Sequence, residues 1–255
     1  MSELASNLSH KVNTLGIMQP YFLPYCGYWQ LMAYCDHWVI FDVVKYNKRS
    51  WMNRNRVLHP DSNKPFQYIH LPIKSHNSGE EIKDIIIDDN EEWQAHLKGK
   101  LSFYKKMRAP YYEESIDLID SMSQINDTNF SHFLAKHFEI VMKKLGLNFN
   151  YSFASELDFP RREIKHPDDW ALQITKHLKA KTYINPYGGT DLFNKQKYKE
   201  HAVSLQFLKP YLSHYSQGQR ASFTSSLSIL DFLMFNSIES TKHMLTHDFD
   251  IISGN

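Results

Sequence analysis

The chain has 255 residues, 42% hydrophobic and 14% aromatic, enough for a substantial core in one large domain or two small ones. Its net charge of +1 argues against a general polyanion binder, so any attraction for phosphate must be local. There is no long apolar run to cross a membrane, and residues 1–16 lack the basic and apolar regions of a secretory signal, so a soluble, cytoplasmic protein is expected.

Residues 15–18 read as a first strand, 27–35 as a helix and 37–41 as a second strand. Cys26 and Cys35 flank that helix, a spacing awkward to bridge, and are expected to be free thiols. Residues 66–73 alternate as a strand does, as do 82–87 after the Asn77-Ser78-Gly79 turn, and the two are expected to pair as a hairpin. From 91 to 145 the period becomes helical, through Trp93, Leu97, Leu101 and Tyr104 and later Phe130, Leu134, Phe138 and Val141. Pro110 marks a helix boundary, and Gly146 is placed to cap a helix C-terminus. Strands at 150–153, 182–185 and 204–207, with a helix after Pro167, restore a β–α–β rhythm. In 227–237, Leu227, Ile229, Leu230, Leu233 and Met234 form a helix core. Asp231 and Asn236 are its polar exceptions, one expected to brace and the other to reach a site. The alternation predicts an α/β fold. Without a Gly/Ser-rich linker, a single domain over 1–255 is favoured, with a mainly helical insertion at about 90–148. The histidines, among them His37, His59, His70, His76 and His96, lack paired ligand spacing, so no metal site is expected.

Between Asp42 and Asp61 there is no acid, but there are five fixed positive charges, Lys45, Lys48, Arg49, Arg54 and Arg56, interleaved with Tyr46 and Trp51. Guanidinium forks match phosphate or carboxylate oxygens, and a neighbouring ring adds a stacking face for a sugar or base. Arg49, Asn53, Arg54 and Arg56 would hold a diphosphate, with Tyr46 or Trp51 stacked on the ligand and Lys48 also in the substrate-binding set. An ordinary solvated loop, with Trp51 in the core, is the plainer reading.

The approach to this strip carries Met18, Gln19, Pro20, Tyr21, Phe22, Pro24, Tyr25, Gly27 and Tyr28, followed by Asp42, Tyr46, Arg49, Trp51, Asn53 and Arg54. In this run the chain closely resembles the WbqC-like proteins. Tyr183, Pro186, Gly188, Gly189 and Asp191, and then residues 227–237, are similar to that family's middle and C-terminal blocks, so the resemblance spans nearly the whole chain. Val43 stands where relatives often carry a second acid, and Ser225 where a proline is usual. WbqC-like proteins are typically encoded among genes for surface polysaccharides and amino sugars. The resemblance implies attachment of glycine or another acyl group to a sugar amine.

A second resemblance, to nucleotidyltransferases and pantothenate-synthetase-like ligases of the HIGH superfamily, implies a Rossmann-like open sheet. Phe22-Leu23-Pro24 leading to Gly27-Tyr28 is similar to their turn, with both histidines absent. A helix N-terminus near Gly27 would still favour phosphate, although imidazole-assisted adenylyl transfer is not expected.

At least one of Tyr21, Tyr25 and Tyr28 is expected in a pocket, because three phenols at one junction are hard to satisfy in a core. Asp42, ending a strand, suits either a general base or a partner of Arg49 or Arg54. Tyr28 and Asp231 are the other catalytic candidates, and Gln19, Gly188, Gly189, Asp191 and Asn236 complete the substrate-binding set.

The leading expectation is acyl or aminoacyl (including glycyl) transfer onto the amine of a nucleotide-linked amino sugar in O-antigen assembly. The activated carboxyl would come from ATP, an acyl thioester or an aminoacyl-tRNA, and no sequence motif selects among these donors. The rival expectation is a non-catalytic nucleotide-sugar or nucleic-acid binding protein on a degraded nucleotidyltransferase-like fold.

Overall fold

Successive side chains of a strand point to opposite faces, and in the central strands of this chain both sets are apolar, which commits the sheet to burial on both sides. The computed structural model describes residues 12–89, 92–211 and 214–254, so the opening residues read above for a leader lie largely outside it.

Strand β1 (Thr14–Met18) leads through α1 (Cys26–Tyr34) to β2 (His37–Ile40), parallel to β1 with Leu15 opposite His37. The chain then leaves the sheet. It builds a hairpin of β3 (Arg54–Leu58) and β4 (Phe66–His70), then α2 (Trp93–Lys106), α3 (Tyr112–Ser123) and α4 (Phe130–Lys144), and returns at β5 (Tyr151–Phe153) beside β2. Next come α5 (Pro167–His177), β6 (Thr182–Pro186), α6 (Lys195–Glu200) and β7 (Ser204–Pro210). Finally α7 (Ile229–Phe235) and α8 (Ile238–His247) lead to β8 (Phe249–Ser253), antiparallel to β7.

The six-stranded sheet runs β5-β2-β1-β6-β7-β8. Counted along the chain, its strands lie in the order 3-2-1-4-5-6, that of a doubly wound Rossmann-like sheet with an antiparallel last strand.

Leu15, Ile17, Val39, Tyr183, Leu205 and Phe207 pack with Leu172, Ile174 and Tyr198 from α5 and α6. On the other side Trp38, Ile40, Ile184 and Leu208 share one apolar core with α1, α2, α3, α4, α7 and α8. The helical insertion therefore buries the same sheet face as α1. His137 of α4 lies deep in this core against Phe22, Trp29 and Phe138, with neither ring nitrogen hydrogen-bonded. Burial drives its pKa down to about 3, so it packs as a neutral ring.

Of the two caps of α4, the C-terminal one falls where the sequence places it. Asn129 accepts from His132 N at 3.1 Å to start α4. At the other end Gly146 (φ 62°) closes a paired turn, with Leu147 N bonding Met142 O and Gly146 N bonding Lys143 O. Both cysteines are free thiols. Among the described residues no helix is long and apolar enough to cross a membrane.

The expected hairpin between 66–73 and 82–87 does not form. β4 pairs with β3, Arg54 opposite His70 and Leu58 opposite Phe66, while Ile82–Asp84 is a 3-10 turn and Ile87 meets Ile73 through a single bridge. The reason is the inward pair of β3: Asn55 and Val57 are buried between half-exposed Arg54 and Arg56, so RNRVL has one buried face despite its polar composition.

Gly16 sits in the middle of β1, where a Cβ would lie 2.5 Å from the Trp38 ring and 2.9 Å from Cys35 Sγ; Gly99 of α2 has nothing within 4 Å of that position. Gly16→Ala is expected to destabilise the protein by about 1–3 kcal/mol through overpacking. Gly99→Ala should stabilise it by roughly 0.5–1 kcal/mol. Urea unfolding of the two variants checks both signs.

Candidate functional site

The seven residues between β1 and α1 have few internal hydrogen bonds, and the rest of the chain supplies the partners. Asn55 Nδ2 donates to Leu23 O at 2.8 Å and Phe22 O at 3.3 Å, and Ser228 Oγ also donates to Leu23 O, at 2.9 Å. Trp29 Nε1 and Ile229 N reach Pro24 O, Phe22 N donates to Met52 O, and Tyr28 Oη donates to Gln19 O at 2.8 Å. Leu23 is held at φ 45°, a left-handed backbone that a leucine adopts only when its surroundings impose it. The turn thus docks β3, α1 and the start of α7 at the carboxyl edge of the sheet.

Beside it, beyond the carboxyl ends of β1 and β6, opens a crevice of about 660 Å³. These two strands flank the point where the strand order reverses, the place where open α/β sheets bind ligands. Its polar groups are the amides of Gln19 and Asn185 and the exposed side chains of Lys165 and His166; Phe41, Trp170, Tyr183 and Phe193 give it aromatic walls. Phe41 meets Trp170 edge to face at 5.3 Å. Asn185 is fixed from both ends: its Nδ2 donates to Tyr183 Oη at 2.6 Å, and Gly189 lies so close that a Cβ there would stand 2.4 Å from Asn185 Oδ1. Asp169 Oδ2 accepts from the backbone N–H groups of Lys165 and His166 at 2.8 and 2.7 Å, which holds the rim loop.

Of the residues singled out from sequence, Gln19 and Gly189 line this crevice, next to Tyr183 and Pro186. Gly188 and Asp191 belong to the same 3-10 turn, Tyr187–Leu192, but are exposed. Lys165, His166, Trp170 and Asn185 were not foreseen. The first three sit in and after an irregular loop that only the crossover before α5 brings to the crevice, while Asn185 could have been found as the polar residue ending a predicted strand.

Asp42 is buried at the end of β2, where its two carboxylate oxygens accept from Ser155 N (2.9 Å) and Ser155 Oγ (2.7 Å); it is tied to the end of β5 rather than to Arg49 or Arg54. Burial raises its pKa, and the Ser155 bonds pull it back. Tyr28 is core, ringed by Tyr21, Trp38 and Phe138, and burial holds its phenol well above its ordinary pKa. Tyr21 and Tyr25 are half-buried at the turn; the Tyr25 ring lies over Gly27 at the start of α1, where a Cβ would come within 2.5 Å of it.

The basic strip divides. Tyr46 is buried against Phe130 and His76, and Asn53 donates to Leu71 O. Lys48 and Arg49 sit exposed in the turn before β3, and Trp51, Arg54 and Arg56 emerge on the outer face of the hairpin. Asn236 donates to Phe232 O and finishes α7. None of the strip residues, nor Asp231 or Asn236, lines the crevice.

Asp231 is fully buried and braces three parts of the chain: Tyr104 donates to Oδ1, and Tyr215 and Gln217 donate to Oδ2, the last at 2.9 Å. Burial pushes its pKa up to about 6, against the pull of these donors.

Strand order and crevice together define a doubly wound α/β protein with an open crevice at its switch point. The chain belongs to the WbqC-like protein family, whose model matches residues 19–243. It is also similar to an uncharacterized protein of Mycobacterium tuberculosis, 23% identical over 224 residues that cover 87% of this chain and 93% of that protein. No solved structure matches it.

Burial raises the pKa of the Asp231 carboxyl above that of an ordinary aspartate, so the folded state holds the proton more tightly. Its contribution to stability is complete below pH 4 and is lost as the pH rises through 6, about 3 kcal/mol in all. Wild type and Asp231→Asn, unfolded with urea at several pH values, should differ most near pH 4, with the gap in favour of wild type shrinking by about that amount near pH 7. A gap independent of pH would exclude this carboxyl from the titration.

Proposed function

We propose that this protein is an amide-forming transferase: its crevice binds a nucleotide-linked amino sugar, and an acyl or aminoacyl group passes onto the sugar amine. The observation that carries the reading is the make-up of the crevice. The amides of Gln19 and Asn185, the latter held by Tyr183, suit sugar hydroxyls, a lysine and a histidine at the rim suit phosphate, and the Phe41–Trp170 wall suits a flat base. Membership of the WbqC-like family supports the same reading, with O-antigen or related surface-polysaccharide assembly as its setting.

In the reaction the neutral amine attacks the carbonyl carbon of an activated carboxyl. A C–N bond forms, the bond to the leaving group breaks, and the amine gives up a proton. His166, exposed at the rim, is the side chain proposed to take that proton. Asn185, held by Tyr183 and crowded by Gly189, orients the sugar. Asp42, with both oxygens engaged by Ser155, keeps the end of β2 against β5 and acts by positioning. The donor is an acyl thioester, an acyl adenylate made from ATP, or an aminoacyl-tRNA; each supplies the leaving group that a free carboxylate lacks.

Mass spectrometry of nucleotide-linked amino sugars incubated with the protein and each donor class tests the proposal, the expected product being heavier by one acyl or aminoacyl group. His166→Gln should lower turnover by roughly 10²- to 10⁴-fold while sugar-nucleotide binding changes little. Gly189→Ala should displace Asn185 and weaken that binding, whereas Gly188→Ala, which meets open space, should leave it intact. Sugar-nucleotide affinity insensitive to Gly189→Ala would move the ligand out of the crevice.

A further inference from the structure

Away from the crevice, the outer face of the β3–β4 hairpin alternates cations and rings. The Arg54 guanidinium lies 5.6 Å from the centre of the Trp51 ring and 5.4 Å from that of Tyr68; Arg56 lies 5.1 Å from Trp51 and 4.7 Å from Phe66. His70 continues the row, its ring 5.9 Å from Tyr68. Trp51 and Tyr68 remain 40% and 38% exposed, among the few large rings that the described part of the fold leaves open.

The two arginines of this face lie against rings rather than against carboxylates, and leave Trp51 and Tyr68 part-open to solvent. No ion pair among the described residues engages Arg54, Arg56 or Lys100. Each of the two arginines spends one terminal nitrogen on a backbone carbonyl, of Arg49 or Ser226, and the Nε of each is buried without a partner. At the His70 end the face runs into a cavity of about 450 Å³ lined by Asn53, Trp93, His96 and Lys100, again without an acid. His70 feels that field: burial and then the charges of Lys100 and Arg54 lower its pKa.

We propose that this face binds single-stranded nucleic acid, bases stacking on Trp51 and Tyr68 and phosphates meeting Arg54, Arg56 and Lys100. A nucleic-acid strand alternates flat, uncharged bases with anionic phosphates, as this surface alternates rings with cations. The Trp51 and Tyr68 rings are 6.1 Å apart. That is nearly twice the roughly 3.4 Å between stacked bases of a duplex strand, so the platform suits an unstacked single strand. An acidic peptide would satisfy the arginines but offers no flat group to the exposed parts of Trp51 and Tyr68. The proposal stands independently of the crevice and of any transfer reaction.

Fluorescence anisotropy with a fluorescein-labelled oligouridylate of about 12 nucleotides, and with a duplex of the same length, tests it on the full chain. The single strand should bind at low salt, more tightly than the duplex, and its affinity should fall with added salt as expected for a few phosphate contacts. Trp51→Ala and Tyr68→Ala should each weaken binding by roughly five- to a hundredfold. Trp51→Phe, which keeps a ring and the fold, should retain most of the affinity while losing the Trp51 share of any tryptophan quenching. Absence of binding at low salt, equal affinity for the duplex, affinity unchanged by the ring substitutions, or equal competition by polyglutamate would each overturn the proposal.

Discussion

The turn between β1 and α1 is the constraint on which the other parts depend. A left-handed leucine and carbonyls that cannot bond within so short a segment are costly to bury, yet Phe22 and Leu23 are completely enclosed and Pro24 is buried. The chain meets that cost from three directions, with Asn55 from the hairpin, Trp29 from α1 and Ser228 from the start of α7. Leu23 O and Pro24 O each have two donors, whereas Phe22 O has Asn55 alone, so removing Asn55 strands a buried carbonyl and loosens the hairpin from the turn. The run from Met18 to Tyr28 is therefore a docking hub first, and the crevice lies beside it because the hub fixes where β1 ends.

A second polar anchor works on the opposite side of the insertion. Asp231 accepts from Tyr104 of α2 and from Tyr215 and Gln217 in the segment before α7, and Tyr104 in turn accepts from Leu58 N of β3. A buried carboxylate is tolerated there because its donors replace water, and it orients three elements that apolar contact alone would leave free to slide.

Much of the fold was legible because the central strands are short apolar runs and the insertion has a clean helical period. β3 was not, since arginine and asparagine hide an alternation that is real once Asn55 turns inward to bond Leu23 O. β8 escaped for the opposite reason: at the sheet edge its residues are exposed or half-exposed and carry little pattern. The site was only partly legible. Gln19 and Gly189 reach the crevice because they follow strands whose ends lie at the switch point, a placement that strand order makes predictable. Lys165, His166 and Trp170 arrive through an irregular loop without periodicity, and the charge run that dominates the sequence sits on a hairpin whose position depends on tertiary docking.

The return of the chain from β2 to β5 also shapes how the protein assembles. Trp38 pairs with Tyr151, so one edge of the parallel sheet closes only across about 110 intervening residues. During synthesis β1 and β2 would emerge with an open apolar edge, and that edge waits until the hairpin and three helices have been made. Closing so large a loop is slow, while the intervening helices form from local contacts and shorten the search. The insertion packs on α1 through Phe138 against Tyr28 and Trp29, so its helices, once docked there, leave β5 only a short way from its place beside β2.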